Sequence, residues 1–434
     1  MRTFLSVGPA LRLVLDDVRK RDDEWLEPGA WLDADQLHGI LGRRISRDVV
    51  ATVDVPDFAS SAMDGYAVRH EDLGPDGGVL RVVSHAAAGR PTARPLTAGE
   101  AVRIMTGAPV PVGANAVVPV EWTKVEGNDE EGWASVDGSV IVDRGIEAGK
   151  HVRPAAEDVR AGQRVLRAGT VITPPVVGVL AGLGVDRLAV QFQPRVRIVS
   201  TGDEIVDPAS DPVFGQVRNT NGPGLAAQAL LAGGRLAGDG RAWTHVPDDL
   251  EALTGQVAEA VRRADVVVLS GGVSMGAHDH VQDALRAAGV ELLFWKVRQR
   301  PGKPLLYGRA GHCHVFGLPG NPVSAAMGFE MYVRPLMETM AGRTPADWSA
   351  GEGLVTAILE EDIRKPEGLH TFVRGVARPG DEGWRVRTTG AQGSNLYGSV
   401  LQANCVVHVP EGVAAPAAGW KVSIQWLPWA IPVV

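Results

Sequence analysis

The sequence predicts a multidomain α/β protein in which a doubly wound, mostly parallel sheet lies between β-rich regions. Its 434 residues exceed what one hydrophobic core supports, so about three or four domains of roughly 100 to 150 residues are expected. From Arg195 the chain alternates strand-like runs (VRIVSTGDE, DVVVLSGG, HCHVFGLPG) with helical runs (GPGLAAQALLAGG, LEALTGQVAEAVRRA), the pattern of parallel strands joined by helices. On either side of that block, short β-like runs are broken by Gly and Pro.

In chain order, Val7 to Lys20 spaces Leu11, Leu13, Val14, Leu15 and Val18 for a helix, and Ala34 to Leu41 predicts a second short one. From Val49 to about Asp158, pieces such as VVATVDV, YAVR, AVRIM and AVVPV predict a mostly β segment. The polar stretch 126–132 (EGNDEEG) reads as a surface loop within it. TPPVVGVLAGLG predicts a short packed helix, with a boundary just beyond it. After about Ala341 the runs LVTAIL, HTFVRGVA, WRVRTTG, CVVHVP and KVSIQWL predict a small closing β domain. No repeat of 20 to 50 residues is visible.

Composition narrows the function. Lys and Arg number 43 against 51 Asp and Glu, a net charge of −8 with no block of five like charges, which argues against nucleic acid as the main partner. Any anionic ligand must then be held by a local site. Two cysteines, Cys313 and Cys405, offer neither a disulfide framework nor a thiolate metal site. No run of eighteen apolar residues occurs and the N-terminus lacks a cleavable-signal pattern, so the expectation is a cytoplasmic chain without a membrane span.

Residues 266–324 carry the chemistry. VVVLSGGVSMGAHDHV, RPGKPLLYG and VFGLPGNPVSA each join an apolar strand to a glycine-rich or Pro-Gly turn, and two lead into helical patterns, a backbone suited to an anion. Asn321 is placed to cap a helix with Pro322 at its first position, leaving N–H groups near Val323 and Ser324 for an oxyanion. Asp203, Glu204, Asp248 and Asp279 are hard oxygen donors at predicted strand ends, of the kind Mg²⁺ uses with substrate phosphates, and also of the kind common in solvated loops. Lys296, Arg300 and Lys303 surround the Pro301-Gly302 turn and can balance a multiply charged anion, with Lys296 the most readily read as a solvated surface charge. Asp64 in SSAMDGYAVR and Thr106 in RIMTGAPVP either face a ligand or simply occupy ordinary turns. His278 and His280 read as polar helix-entry residues rather than a zinc site. No Walker loop, dinucleotide fingerprint or nucleophile triad is readable.

Taken together and in order, SAMDGYAVR, RIMTGAPVP with GANAVVP, EDVRAG, STGDE, SGGVSMGAHD, PGKP and GLPGNPVSA resemble the molybdopterin molybdenumtransferase family, MoeA and the E domain of gephyrin, over nearly the whole chain. The resemblance implies an N-terminal helix packed on the α/β domain (1–31), a discontinuous linker domain (32–50 and 161–190) and an inserted mostly-β domain (51–160). It further implies a molybdopterin-binding α/β domain (191–340) and a C-terminal β-barrel (341–434). The implied activity belongs to molybdenum cofactor biosynthesis: molybdate is inserted into adenylylated molybdopterin, with Mg²⁺-dependent release of AMP.

Carried over residue by residue, the resemblance implies catalytic roles for Asp64, Thr106, Glu204, Asp248 and Asp279, with Asp248 and Asp279 as Mg²⁺ ligands. It implies substrate contacts from Gly271, Gly272, Ser274, Lys296, Arg300, Lys303 and Pro304, and from Gly320, Asn321, Ser324, Arg374 and Ser394. Three departures stand out: Arg300 replaces a family Lys, Gly368-Leu369 replaces Gly-Arg, and Ala155-Ala156 replaces Arg-Gly before the acid pair Glu157 and Asp158. The implied partners are a second copy of the chain, with the site built across subunits, a molybdopterin adenylyltransferase, and cofactor acceptor or carrier proteins. The alternatives are a non-catalytic dimeric scaffold that binds a pterin intermediate or partner proteins, a related enzyme of another pterin or nucleotide, and a paralogue that inserts tungstate.

Overall fold

Strands Arg195–Thr201, Val266–Ser270 and Cys313–Leu318 run parallel and side by side, and their register aligns Ser200, Ser270 and Leu318 in one row across the sheet. Period-two alternation explains why helices cover both faces. Val196, Ile198, Val266 and Val268 enter one core with Leu225, Ala229 and Phe329. Val199, Val267 and Leu269 enter the opposite core with Leu253, Val257 and Ala284. The protein is seen here as a computed structural model that describes residues 1–16, 18, 21–26, 37, 39–128, 133–238, 240–272 and 280–430. The chain divides into two compact units, one of 1–24 with 191–434 and the other of 25–190.

In the first unit the sheet has eight strands, extending through Leu306–Ala310 and Glu291–Val297 to the N-terminal strand Arg2–Leu5 at one edge, with Arg235–Leu236 and Thr244–Val246 on the other side. Leu306–Ala310 alone runs against the rest, so the sheet is mostly parallel as predicted. The N-terminal helix is shorter than its pattern, Val7–Leu15. Leu250–Arg263 shows how its ends are set: Asp249 accepts from the Ala252 N–H at 2.8 Å, Glu251 lies in the first turn, and Arg262 and Arg263 lie in the last.

The run from Pro322 is helical to Met340 but passes through a π turn at Phe329–Val333. Glu330 in that turn is buried, held by Arg334 Nε at 2.5 Å and Gln228 Nε2 at 2.7 Å. Five strands then close a barrel: Val355–Leu359, His370–Gly380, Gly383–Thr388, Cys405–Val409 and Lys421–Trp426. Closure comes from His370–Gly380, which pairs with both Gly383–Thr388 and Cys405–Val409. The short strand Gln299–Arg300 adds to its outer side and ties the Pro-Gly turn to the barrel. Both cysteines are buried and unbridged.

The second unit is built on a six-stranded sheet ordered Ala116–Pro119, Gly65–Val68, Glu100–Ile104, Gly78–Ala86, Ala134–Val142 and Thr123–Asn128. Gly65 is required there, since a Cβ would stand 1.9 Å from the Val118 carbonyl oxygen. The stretch 126–132 differs from its reading as a loop: residues 126–128 continue a strand, because pairing with Ala134–Val142 extends that far, and 129–132 lie outside the described residues. A two-strand pair of Val49–Val50 with Arg164–Leu166 and the helix Pro174–Gly182 complete this unit. Half of the predicted helix at Ala34 to Leu41 lies outside the described residues, and Leu37, Gly39 and Ile40 among the rest are helical.

Candidate functional site

The parallel strands of the first unit end at a cleft of about 550 Å³, lined by Thr201, Gly202, Glu204, Asp248, Ser270 and the 271–272 and 320–322 turns. Ligands of open α/β sheets bind at this edge because the strand ends leave backbone groups without sheet partners. Gly271 allows the turn: its φ of +106° is one that side chains avoid, and a Cβ would stand 2.3 Å from the Thr201 carbonyl oxygen. Asp248 is exposed, accepts from Thr201 Oγ1 at 2.5 Å and donates its N–H to Asp203 Oδ1 at 3.0 Å. Glu204 lines the same cleft. Two carboxylates beside hydroxyl and amide oxygens suit a Mg²⁺ ion that shares its shell with water and phosphate. Among the described residues no group of three His, Cys, Asp or Glu gathers to cage a metal. The predicted residues Ser274 and Asp279 lie outside the described residues, so this cleft is seen without them.

Two cleft residues were missed by sequence reasoning. Asn221 donates from Nδ2 to Ser270 Oγ and to the Gly320 carbonyl, both at 2.7 Å, and so joins two of the glycine turns. Asn219 donates to Ser200 Oγ at 2.7 Å and accepts from the Gly222 N–H at 2.8 Å. The polar run Arg218-Asn219-Thr220-Asn221 before a helical pattern was the available signal.

A cationic corner lies on the other side of the same helix start. Asn321 and Pro322 line the cleft, whereas the Val323 N–H donates to the Ser394 carbonyl at 3.1 Å. This corrects the expectation of free N–H groups at Val323, which the barrel segment occupies. Asn321 takes the cap position with extended backbone, but its side chain makes no cap hydrogen bond, and Ser324 is only 3% exposed. The Pro-Gly turn reaches the same helix, since a Cβ on Gly302 would be 3.4 Å from the Ser324 carbonyl oxygen.

Arg374 comes to this corner from the barrel. It is fully buried, donating to Ser399 Oγ at 2.6 Å and to the carbonyls of Gly393 at 3.2 Å and Ala391 at 3.4 Å. Burial lowers its pKa to about 10. Its Nη1 has no hydrogen-bond partner among the described residues, and no carboxylate there pairs with it. A buried guanidinium held by neutral oxygens, without a countercharge among the described residues, carries a desolvation cost.

Lys303 is exposed with Pro304 half-buried beside it, while Lys296, expected at greatest risk of being a solvated charge, is buried instead. Both ammonium groups lie over the Phe4 ring, at 5.3 Å for Lys296 and 5.1 Å for Lys303. Arg300 departs from the expected cluster: it lines a separate cleft of about 510 Å³ with Arg364, Thr371 and Gln392, because pairing of Gln299–Arg300 with the barrel directs it there. In the second unit Asp64 and Thr106 meet. Thr106 donates both its N–H and its Oγ1 to Asp64 Oδ1, each at 2.7 Å, and these bonds, the backbone one first, hold the carboxyl below its ordinary pKa.

Three family matches together cover most of the chain. Residues 5–184 match the MoeA N-terminal region (domain I and II), 197–339 a probable molybdopterin binding domain, and 356–427 the MoeA C-terminal region (domain IV). The chain is 36% identical over 400 residues to molybdopterin molybdenumtransferase 2 of Mycobacterium tuberculosis, covering 90% of this chain and 93% of the relative. It is 32% identical over 392 residues to the molybdopterin molybdenumtransferase of Staphylococcus aureus, covering 89% of each. The crystal structure of the molybdopterin biosynthesis moeA protein from Pyrococcus horikosii is similar with a TM-score of 0.76 at 26% identity, over 98% of this chain and 99% of that one. With sequence, domain models and fold in agreement along almost its full length, this chain belongs to the molybdopterin molybdenumtransferase (MoeA) family.

Proposed function

We propose that the chain is a transferase of molybdenum cofactor biosynthesis that inserts molybdate into adenylylated molybdopterin and releases AMP. The observation that carries this reading is Arg374, a buried cation with Nη1 unsatisfied among the described residues, which donates to the Gly393 carbonyl next to Ser394, whose own carbonyl takes the Val323 N–H at the helix start. A doubly charged oxyanion would complete that set, whereas a neutral ligand would leave the charge uncompensated. The neighbouring cleft, with its glycine turns and acids, suits the phosphates of the pterin substrate. Asp248 and Glu204 would hold Mg²⁺ there, and the ion would supply charge neutralisation to those phosphates.

The names of the relatives, each a molybdopterin molybdenumtransferase, support the transferred group. A homodimer whose second copy contributes the exposed Asp64 and Thr106 pair to the site is part of the same proposal. No helix among the described residues is long and apolar enough to cross a membrane. The test is incubation with adenylylated molybdopterin, molybdate and Mg²⁺, following AMP release and reconstitution of an apo-molybdoenzyme. Release of AMP that depends on molybdate is expected. Binding of the pterin without any turnover would instead favour the scaffold.

A further inference from the structure

Gln299 stands at the start of the Pro-Gly turn, neutral among its cations and only 1% exposed. Its side chain makes two hydrogen bonds in the interior: Nε2 donates to the Gly302 carbonyl at 3.1 Å, and Oε1 accepts from the Tyr332 hydroxyl at 2.6 Å. One orientation of the amide satisfies both neighbours. The Gly302 carbonyl can only accept, so Nε2 must face it, and Oε1 then needs the donor that the Tyr332 hydroxyl supplies. Burial raises the Tyr332 pKa, which keeps that hydroxyl protonated. Tyr332 belongs to the π turn Phe329–Val333, a break in helix geometry of the kind that collects at functional sites.

The two hydrogen bonds fix one peptide. The bond between Gly302 and Lys303 is trans, so drawing its carbonyl inward to Gln299 turns the Lys303 N–H the opposite way, away from the buried amide. Gly302 has a φ of +87°, and a Cβ there would stand 2.9 Å from Gln299 Nε2, so the turn closes directly on that amide. On the other side, the Lys303 carbonyl accepts from the Val297 and Leu305 N–H groups, each at 3.0 Å. The exposed Lys303 is thereby held at both of its peptide bonds.

We propose that Gln299, oriented by Tyr332, is a positioning residue that fixes the Gly302–Lys303 peptide and so aims Lys303 at the oxyanion. A lysine carries its charge on a flexible four-carbon stem, so a fixed origin at its Cα is what confines the reach of the ammonium. The inference rests on the reading of Lys303 as an oxyanion ligand.

The test introduces Gln299→Met, of similar volume, and Tyr332→Phe into the full-length protein, each alone and together with Lys303→Ala. The readouts are binding of tungstate alone and of adenylylated molybdopterin by calorimetry, and the molybdate concentration for half-maximal AMP release. Gln299→Met is expected to weaken tungstate binding and raise half-saturating molybdate about three- to tenfold, with pterin binding changed much less. Tyr332→Phe keeps the Gly302 bond but frees the amide to turn, and should act in the same direction by about two- to threefold. In the Lys303→Ala background neither should weaken tungstate binding further, because the group they position is gone. Equal losses with and without the Lys303 side chain, or no loss in Gln299→Met while Lys303→Ala loses tungstate, would overturn the positioning role. If Lys303→Ala binds tungstate as the parent does, the reading of Lys303 fails and the inference falls with it. Should Gln299→Met not fold, Tyr332→Phe decides by the same comparison of backgrounds.

Discussion

Thr106 places two donors on one oxygen of Asp64: its N–H and its hydroxyl both reach Oδ1 at 2.7 Å, which leaves Oδ2 outside the pair. An exposed carboxylate is thereby held in one orientation and kept ionised. Such a group can bind or orient a cationic or hydroxyl-bearing partner but is a poor acid.

Thr106→Val keeps the backbone donor and removes the hydroxyl, so the Asp64 pKa should rise. If ionised Asp64 is needed, the acid limb of the pH–rate profile moves to higher pH, since more protons are bound at a given pH. Asp64→Asn should melt near the parent temperature yet lose at least about tenfold in rate. A pH–rate profile that is unchanged in Thr106→Val would remove Asp64 from the chemistry.

Asn221 joins the Ser270 and Gly320 turns through two hydrogen bonds. Asn221→Ala should lower unfolding free energy by about 1 to 3 kcal/mol, and Asn221→Asp, which cannot donate to the Gly320 carbonyl, should do no better. Denaturant midpoints measure the first effect. Equilibrium binding of the adenylylated pterin should weaken in parallel, because the turns that face its phosphates are no longer tied together.

Asp248 holds Thr201 Oγ1 through an oxygen that asparagine also offers, so Asp248→Asn retains the local hydrogen bond and loses the charge. Half-saturating Mg²⁺ should rise about tenfold while pterin binding changes much less. Equal Mg²⁺ dependence in mutant and parent would take Asp248 out of the metal shell.

Acid should loosen the barrel through two histidines. His370 and His408 are buried at 5.5 Å between centroids, packed with Trp348 and Phe372, and His370 Nε2 and His408 Nδ1 lack hydrogen-bond partners among the described residues. Burial first, then Lys365, lowers the His370 pKa to about 4. Burial, then His370, lowers that of His408 to about 3, against the opposing hydrogen bond with Gln425. The unfolded chain therefore binds more protons below the ordinary histidine value of 6.5, and stability falls as pH drops from there towards 4 and then 3. His370→Phe should flatten that decline, as read from melting temperature between pH 7 and pH 4.

Local pattern alone determined the order of elements and the position of the turns. The alternation of Val196 and Ile198 against Val199 follows from strand period. The family motifs likewise placed Glu204, Asp248 and the 320–322 turn at strand ends, where the sheet brings them to one cleft. Tertiary structure decided which groups are available. Val323 is spent on Ser394, 71 positions away by their numbers, and Arg300 turns to the barrel through strand pairing with His370–Gly380. Arg374 is buried without a countercharge among the described residues, and Asn221 spans to Gly320. Hydrogen bonding and burial at such sequence separations depend on how the packed elements meet, and no local periodicity encodes that meeting.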